Sequence, residues 1–469
     1  MKLLFLFTFI AVISLSFAQT KNESIDFTIN SEVFNDQRTI SVFVPSSYYS
    51  RDTTKNYPVA YLFDSQFSPY FSMVSSIISY YEQTSEGISM IVVGIHSKNR
   101  WGEFVPICEE KDLENIKGAD RLTLFLKKEV IPLIDSTYRT NTFKIGIGHS
   151  LGGTFVINEI IKANSLFNGV IAASPNLTIC NEKIVNKGEK FFMNKLKNQR
   201  FIYSSCGTVG DMENNFRKSL LHFDSAFSSN GINSIYWNCE ILENRNHMTT
   251  FVPTFNNGYL ALSSKLMLLD VQLIQMSEDS MHSISENLLA FYDELSSFTK
   301  EEQKLSVDQI MKYEKTLSYY KKYNACVELC RYASELLESE DIPKSKKKKV
   351  TKLISHRQIR AEFNAVAYKA YKFAQVEDYT NASRLYIEAF DMKLIRATHI
   401  VRMDAVPVLA QAGEIEEAFK QLGLLANKFK LRGNERFIND ILCMPLHKDK
   451  RWKKLMDKLE KNKKSINSK

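Results

Sequence analysis

Cysteine is sparse in this chain of 469 residues. The seven present are Cys108, Cys180, Cys206, Cys239, Cys326, Cys330 and Cys443. An odd number without dense spacing argues against a disulfide scaffold. Cys326 and Cys330 fall on one helical face and read as core residues rather than metal ligands. No apolar run beyond the first eighteen residues is long enough to span a bilayer. Aromatic residues do not interleave with basic ones, and no nucleic-acid motif is present. The formal net charge of +8 is concentrated in "PKSKKKKVTK" and the Lys-rich tail after Asp449. Such runs are solvated faces, and a nucleic-acid partner is not expected.

The opening residues differ from everything after them. Lys2 gives a positive start, "LLFLFTFIAVISLSF" is an apolar core, and Ser16-Phe17-Ala18 ends in small residues. The pattern predicts a signal peptide over 1–18, cleaved near Ala18, and a protein exported to the periplasm or the medium. Gln19 rather than Cys follows the cut, so no lipid attachment and no stable membrane insertion are expected. Hydrophobic content is 44% and charged content 24%, ordinary for a soluble globular protein. The length exceeds one ordinary core and predicts two domains, over 19–275 and 276–469.

The first of these alternates strand and helix signals. "RTISVFVP", "PVAYLF", "MIVVGI", "FKIGIG", "GVIAAS" and "FIYSS" are short apolar runs, several of them rich in Val and Ile, as strands buried on both faces are. Helix-period segments such as "DRLTLFLKKEVIPLIDSTY" lie between them. The pattern predicts an α/β fold with a mostly parallel sheet covered on both sides. After about residue 275 strand signals vanish. "YKAYKFAQVEDYTNASRLYIEAF" resembles a tetratricopeptide helix hairpin, with Ala382 and Ala389 at points of close packing. "VPVLAQAGEIEEAFKQLGLLANK" repeats it, with Gly413 at the turn and Ala418 in the second helix. The second domain is therefore expected to be all-α and tetratricopeptide-like, with a surface for a protein partner or self-association.

The chemistry centres on "FKIGIGHSLGG". Gly148-His149-Ser150-Leu151-Gly152 follows a buried strand and opens a helix, the context of a nucleophile elbow. Glycines on either side of Ser150 let the chain turn sharply, and the Leu151 N–H at the helix start can bind a developing oxyanion. A serine hydroxyl needs a base. His247, in a late loop within "ENRNHMTTF", is the best placed of the eight histidines. His149 is expected to point away from the hydroxyl, and His96 to line the pocket. An acid must orient the base. "FIYSSCGTVGDMENNF" offers Asp211 just beyond a strand, with Glu213 two residues on as the alternative and a Ser–His dyad as a third reading. Asp211 is preferred, in the order Ser, Asp, His.

The whole stretch from about 25 to 270 resembles the esterase family of α/β-hydrolases. That family spans esterase D-like, feruloyl, acetylxylan and siderophore esterases and the antigen 85 mycolyltransferases. "RTISVFVP", "YPVAYLFDS", "IVVGIHSKNRWGEFVP", "GHSLGG", "AASPNL" and "ENRNHMTTFVPTF" carry the likeness. The resemblance implies a serine esterase acting on a small-molecule or glycan-linked ester, without metal or organic cofactor. It also implies a second oxyanion donor, the N–H of Gln66, in Asp64-Ser65-Gln66 after the second core strand. Ser65 stands where the family has Gly, and Met248 follows His247 where Gly is frequent. A catalytically idle binding protein and an acyltransferase are the competing readings.

Overall fold

The computed structural model describes residues 24–50, 53–108, 117–193, 199–230, 234–299, 301–339, 341–392 and 399–464. The expected signal peptide lies outside them. The chain forms two compact units. One holds the described residues up to Leu269 together with Asp293–Gln303; the other holds Asp270–Tyr292 and the residues from Lys304 onward. The division differs from a single cut at 275, because Asp293–Gln303 belongs with the first unit.

Among the described residues that unit is built on eight strands: β1 (Ile25–Ser31), β2 (Asp36–Phe43), β3 (Tyr57–Phe63), β4 (Ile91–Ile95), β5 (Thr140–His149), β6 (Gly169–Ala173), β7 (Arg200–Gly207) and β8 (Ile235–Leu242). They form one sheet in the order β1-β2-β4-β3-β5-β6-β7-β8. The six strands from β3 to β8 run parallel, and β1 and β2 are antiparallel at one edge. Every residue of β4, β6 and β7 is buried, which is why these segments read as unbroken apolar runs. β1 carried no such signal. It is an edge strand with mostly exposed or half-exposed residues, so its composition is that of a polar hairpin.

The helices of this unit are α1 (Ser68–Thr84), α2 (Arg100–Phe104), α3 (Gly118–Phe125), α4 (Ile131–Thr137), α5 (Leu151–Ile160), α6 (Ile179–Phe192), α7 (Asp211–Asn230) and α8 (Phe251–Leu266). A π-helical turn, Leu126–Val130, joins α3 to α4. Two apolar cores result, one on each sheet face. Leu122, Phe125, Phe155, Ile184 and Phe223 fill one. Tyr70, Val74, Phe255, Tyr259 and Phe298 fill the other. A disulfide, Cys108–Cys180, ties the segment after α2 to the start of α6. The sequence reading did not foresee this pairing, because 72 residues separate the partners.

The second unit is all-helical. α9 (Asp270–Glu278) and the first half of α10 (Ile284–Thr299) lead into α11 (Val307–Tyr319), α12 (Tyr323–Ser339), α13 (Lys344–Gln375), α14 (Tyr379–Asp391), α15 (His399–Gln411), α16 (Ile415–Asn427), α17 (Glu435–Ile438) and α18 (Lys450–Lys464). Ala382, Ala389 and Ala418 are fully buried, where helices approach closely. Gly413 takes a left-handed φ of 84° between α15 and α16, which glycine adopts at no steric cost. Cys326 and Cys330 are buried core residues. Among the described residues no helix is long and apolar enough to cross a membrane.

Phe298 shows why Asp293–Gln303 is counted with the sheet. It is buried, with its ring 5.2 Å from that of Phe143 on β5. Phe298→Ala is expected to destabilise the first unit by about 3–5 kcal/mol, the usual cost of deleting a buried aromatic ring. Denaturant unfolding checks this; a loss under about 1 kcal/mol would show the ring to be peripheral.

Candidate active site

The loops that follow the carboxyl ends of the parallel strands carry the site, the place where open α/β sheets bind ligands. β5 ends at His149, and Ser150 forms the elbow into α5. Its φ of 57° and ψ of −120° place a non-glycine residue in sparsely populated territory, a strain that functional turns retain. A Cβ on Gly148 would lie 2.2 Å from the Gly152 carbonyl carbon, so no side chain fits there. The Ser150 N–H donates to the Ala173 carbonyl at 3.0 Å, and Thr154 N–H donates to the Ser150 carbonyl at 2.9 Å. The elbow is thus clamped to β6 and to its own helix.

His247 lies after β8 in a short 3₁₀ turn, His247–Thr249, capped by the Asn246 side chain. Its Nδ1 is 2.6 Å from Glu213 Oε1. The structure therefore pairs His247 with Glu213 and not with the expected Asp211. The reason is helical phase. α7 starts at Asp211, whose side chain faces solvent at the positive helix end. Two residues on, a rotation of about 200° turns Glu213 inward, where it is fully buried. Its other oxygen accepts from the Gly207 N–H at 2.5 Å and the Ser174 hydroxyl at 3.0 Å. Burial pushes the Glu213 carboxyl up, but the bonds from His247, Gly207 and Ser174 outweigh it and hold it below its ordinary range. Glu213 is a carboxylate at neutral pH.

The turn after β3 carries Asp64, which takes a φ of 66°. Because Asp64 rather than Ser65 adopts the left-handed conformation, a serine is tolerated at 65. Ser65 donates its N–H to the Ile95 carbonyl and its hydroxyl to the Leu62 carbonyl, both at 3.1 Å. The Asp64 carboxylate lies 3.2 Å from where a Gly152 Cβ would stand, so this turn abuts the first turn of α5. Arg100 grips Asp64 with two bonds, at 2.7 and 2.9 Å. The Gln66 side chain spans Asp64 Oδ1 and the Ser97 N–H, both at 2.9 Å. Among the described residues no group accepts from the Gln66 backbone N–H. Leu151 opens α5, where first-turn N–H groups have no intrahelical acceptor.

Two other histidines lie nearby, and of these His96 does not line the site as expected. His96 turns to the sheet edge, 2.9 Å from the Ser41 hydroxyl. His149 is buried beside His247: its ring centroid is 4.4 Å from that of His247, and its Nε2 is 2.8 Å from the His247 carbonyl. The sequence places His149 next to Ser150 but gives no sign of this contact, which joins the strand end to a loop 98 residues away. A cavity of about 520 Å³ among Pro58, Glu82, Ile88, Phe143 and Met267 sits at the opposite ends of the strands. It holds none of these groups.

Burial first, and then the neighbouring His247, push His149 down to about 4. An unfolded histidine titrates near 6.5, so the unfolded chain takes up this proton first. The resulting stability is complete above about pH 6.5 and drains away as pH falls toward 4, by roughly 3 kcal/mol. Unfolding in denaturant at pH 7 and pH 4.5 measures it. His149→Phe is expected to remove most of that pH dependence, and an unchanged difference would refute the assignment.

Residues 31–239 match the family model described as "Putative esterase". No curated protein sequence is significantly similar to the chain. Among solved structures, an IroE-like serine hydrolase from Shewanella oneidensis aligns with a TM-score of 0.53 at 18% identity, over 67% of this chain and 98% of its own. A protein from Capnocytophaga ochracea aligns with a TM-score of 0.54 at 14% identity, over 78% and 94%. At these identities the likeness shows the fold. Together with the family match over residues 31–239, it shows an α/β-hydrolase-like first unit similar to the esterase family, which supports a carboxylic ester hydrolase.

Proposed function

We propose that the protein is an exported serine esterase working through Ser150, His247 and Glu213. The observation that carries the reading is the fully buried Glu213 carboxylate on His247 Nδ1, with His247 packed against the residue that precedes the strained Ser150. Nδ1 then holds its proton toward Glu213, which leaves Nε2 as the base. Ser150 Oγ attacks the ester carbonyl as His247 takes its proton. The Leu151 and Gln66 N–H groups receive the oxyanion. The tetrahedral intermediate collapses, His247 returns the proton to the departing alcohol, and an acyl-enzyme remains. Water, deprotonated by His247, releases the acid. None of these steps calls for a metal or organic cofactor. The Cys108–Cys180 disulfide supports an oxidising compartment, in keeping with export. Siderophore and carbohydrate esters are the substrate classes to assay.

A short-chain p-nitrophenyl ester is expected to be hydrolysed by the purified protein. Ser150→Ala is expected to lower kcat by about a thousandfold or more with the fold intact by circular dichroism. Turnover near wild type in that variant would end the mechanism. Glu213→Gln is expected to cost about 100- to 10,000-fold in kcat, while Asp211→Asn stays within about threefold. The reverse ranking would return the acid's role to Asp211.

A further inference from the structure

We propose that Tyr70 and His149 form a positioning pair for the catalytic base, with Tyr70 fixing the His149 tautomer and His149 holding the His247 backbone. This rests on the reading of His247 as the base.

Proton accounting leads to it. The His247 carbonyl can only accept, so His149 Nε2, 2.8 Å away, carries a proton and donates it. A neutral imidazole has one N–H. Nδ1 of His149 is therefore an acceptor, and the Tyr70 hydroxyl, 2.7 Å away, donates to it. An imidazole is the side chain that offers an acceptor and a donor on opposite sides of one rigid ring. Tyr70 is itself fixed: it is buried, with its ring 4.3 Å from Phe251 and 5.0 Å from Phe67.

The consequence falls on His247. Glu213 holds its side chain from one end, and His149 holds its carbonyl from the other. The ring is thereby restrained in both position and rotation. The Thr250 hydroxyl also lies on that carbonyl, at 2.9 Å, but its single proton is shared with the Ser174 hydroxyl at 2.8 Å. His149 is the undivided donor.

Neutrality is part of the device. A protonated His149 could not accept from Tyr70, and it would place a second positive charge beside the imidazolium that forms at His247. The titratable and charged groups around it are Tyr70 on α1, His247 after β8, Glu213 on α7 and Arg100 on α2. Burial is the largest influence keeping the ring neutral, with the charge of His247 and Arg100 acting in the same direction, and the bond to the His247 carbonyl and Glu213 opposing.

The test has two arms. In the first, ring-¹⁵N histidine signals are followed in the full chain. His149 is expected to stay neutral and protonated on Nε2 from about pH 8 to pH 5, and Tyr70→Phe to mix the two tautomers. Protonation on Nδ1 in the wild type would overturn the pair, whether or not the protein hydrolyses esters. In the second, kcat and KM are measured on a p-nitrophenyl ester. His149→Phe is expected to lower kcat about 10- to 100-fold with KM within about threefold. His149→Gln, whose amide can still donate to the His247 carbonyl, is expected to recover about a third or more of the lost logarithmic rate. Tyr70→Phe is expected to cost about three- to tenfold alone and less than about twofold on top of His149→Phe. Additive losses, or losses carried by KM, would overturn the proposal. If His149→Phe fails to fold, Tyr70→Phe with the tautomer measurement still decides. A wild type inert toward esters, unchanged by Ser150→Ala, would defeat the esterase reading and leave the first arm standing.

Discussion

The buried Glu213 carboxylate organises the site. A charge taken out of water is costly unless its oxygens are filled by donors. Here three donors come from three places: the base loop after β8, the strand end at Gly207 and the turn after β6 at Ser174. Each loop is therefore held by its bond to one carboxylate. Removing the carboxylate would strand those donors and release the imidazole together. A single side chain thus links the stability of the loop cluster to the orientation of the His247 ring.

Backbone constraint supplies the other half. β5 and α5 meet at Ser150 so closely that Gly148 has room for no side chain. The strained serine is held by its bond to Ala173 and by a helix whose ten residues are all buried. Asp64 plays a similar part on the neighbouring turn, absorbing a positive φ while its carboxylate is gripped by Arg100. The elbow and this turn touch at Gly152. The proposed oxyanion donors, the Leu151 and Gln66 N–H groups, thus sit on two turns held against each other, the preorganisation on which such stabilisation depends.

Charge is also managed around the base. In the proposed mechanism His247 becomes positive during turnover, and it lies between a buried carboxylate and a buried imidazole. Glu213 favours that charge. His149, kept neutral by burial, does not oppose it. The two partners differ because one carries three hydrogen bonds that reward ionisation and the other has bonds that require neutrality.

What the sequence determined by itself is whatever rests on local pattern. Buried parallel strands write themselves as Val- and Ile-rich runs, the helical unit as a change of period, and the elbow as glycines at fixed distances from Ser150. These features depend on neighbours within a few residues. Helical phase across Asp211 and Glu213 needed the first residue of α7, and a shift of two positions exchanges solvent for core. The polar edge strand β1, the Cys108–Cys180 bridge and the contact of His149 with His247 carried no local signal at all. They join segments far apart in the chain, through surfaces that exist only once the sheet has formed. The tertiary structure decided them, because burial and hydrogen-bond pairing at a distance are properties of the packed molecule and not of any short stretch.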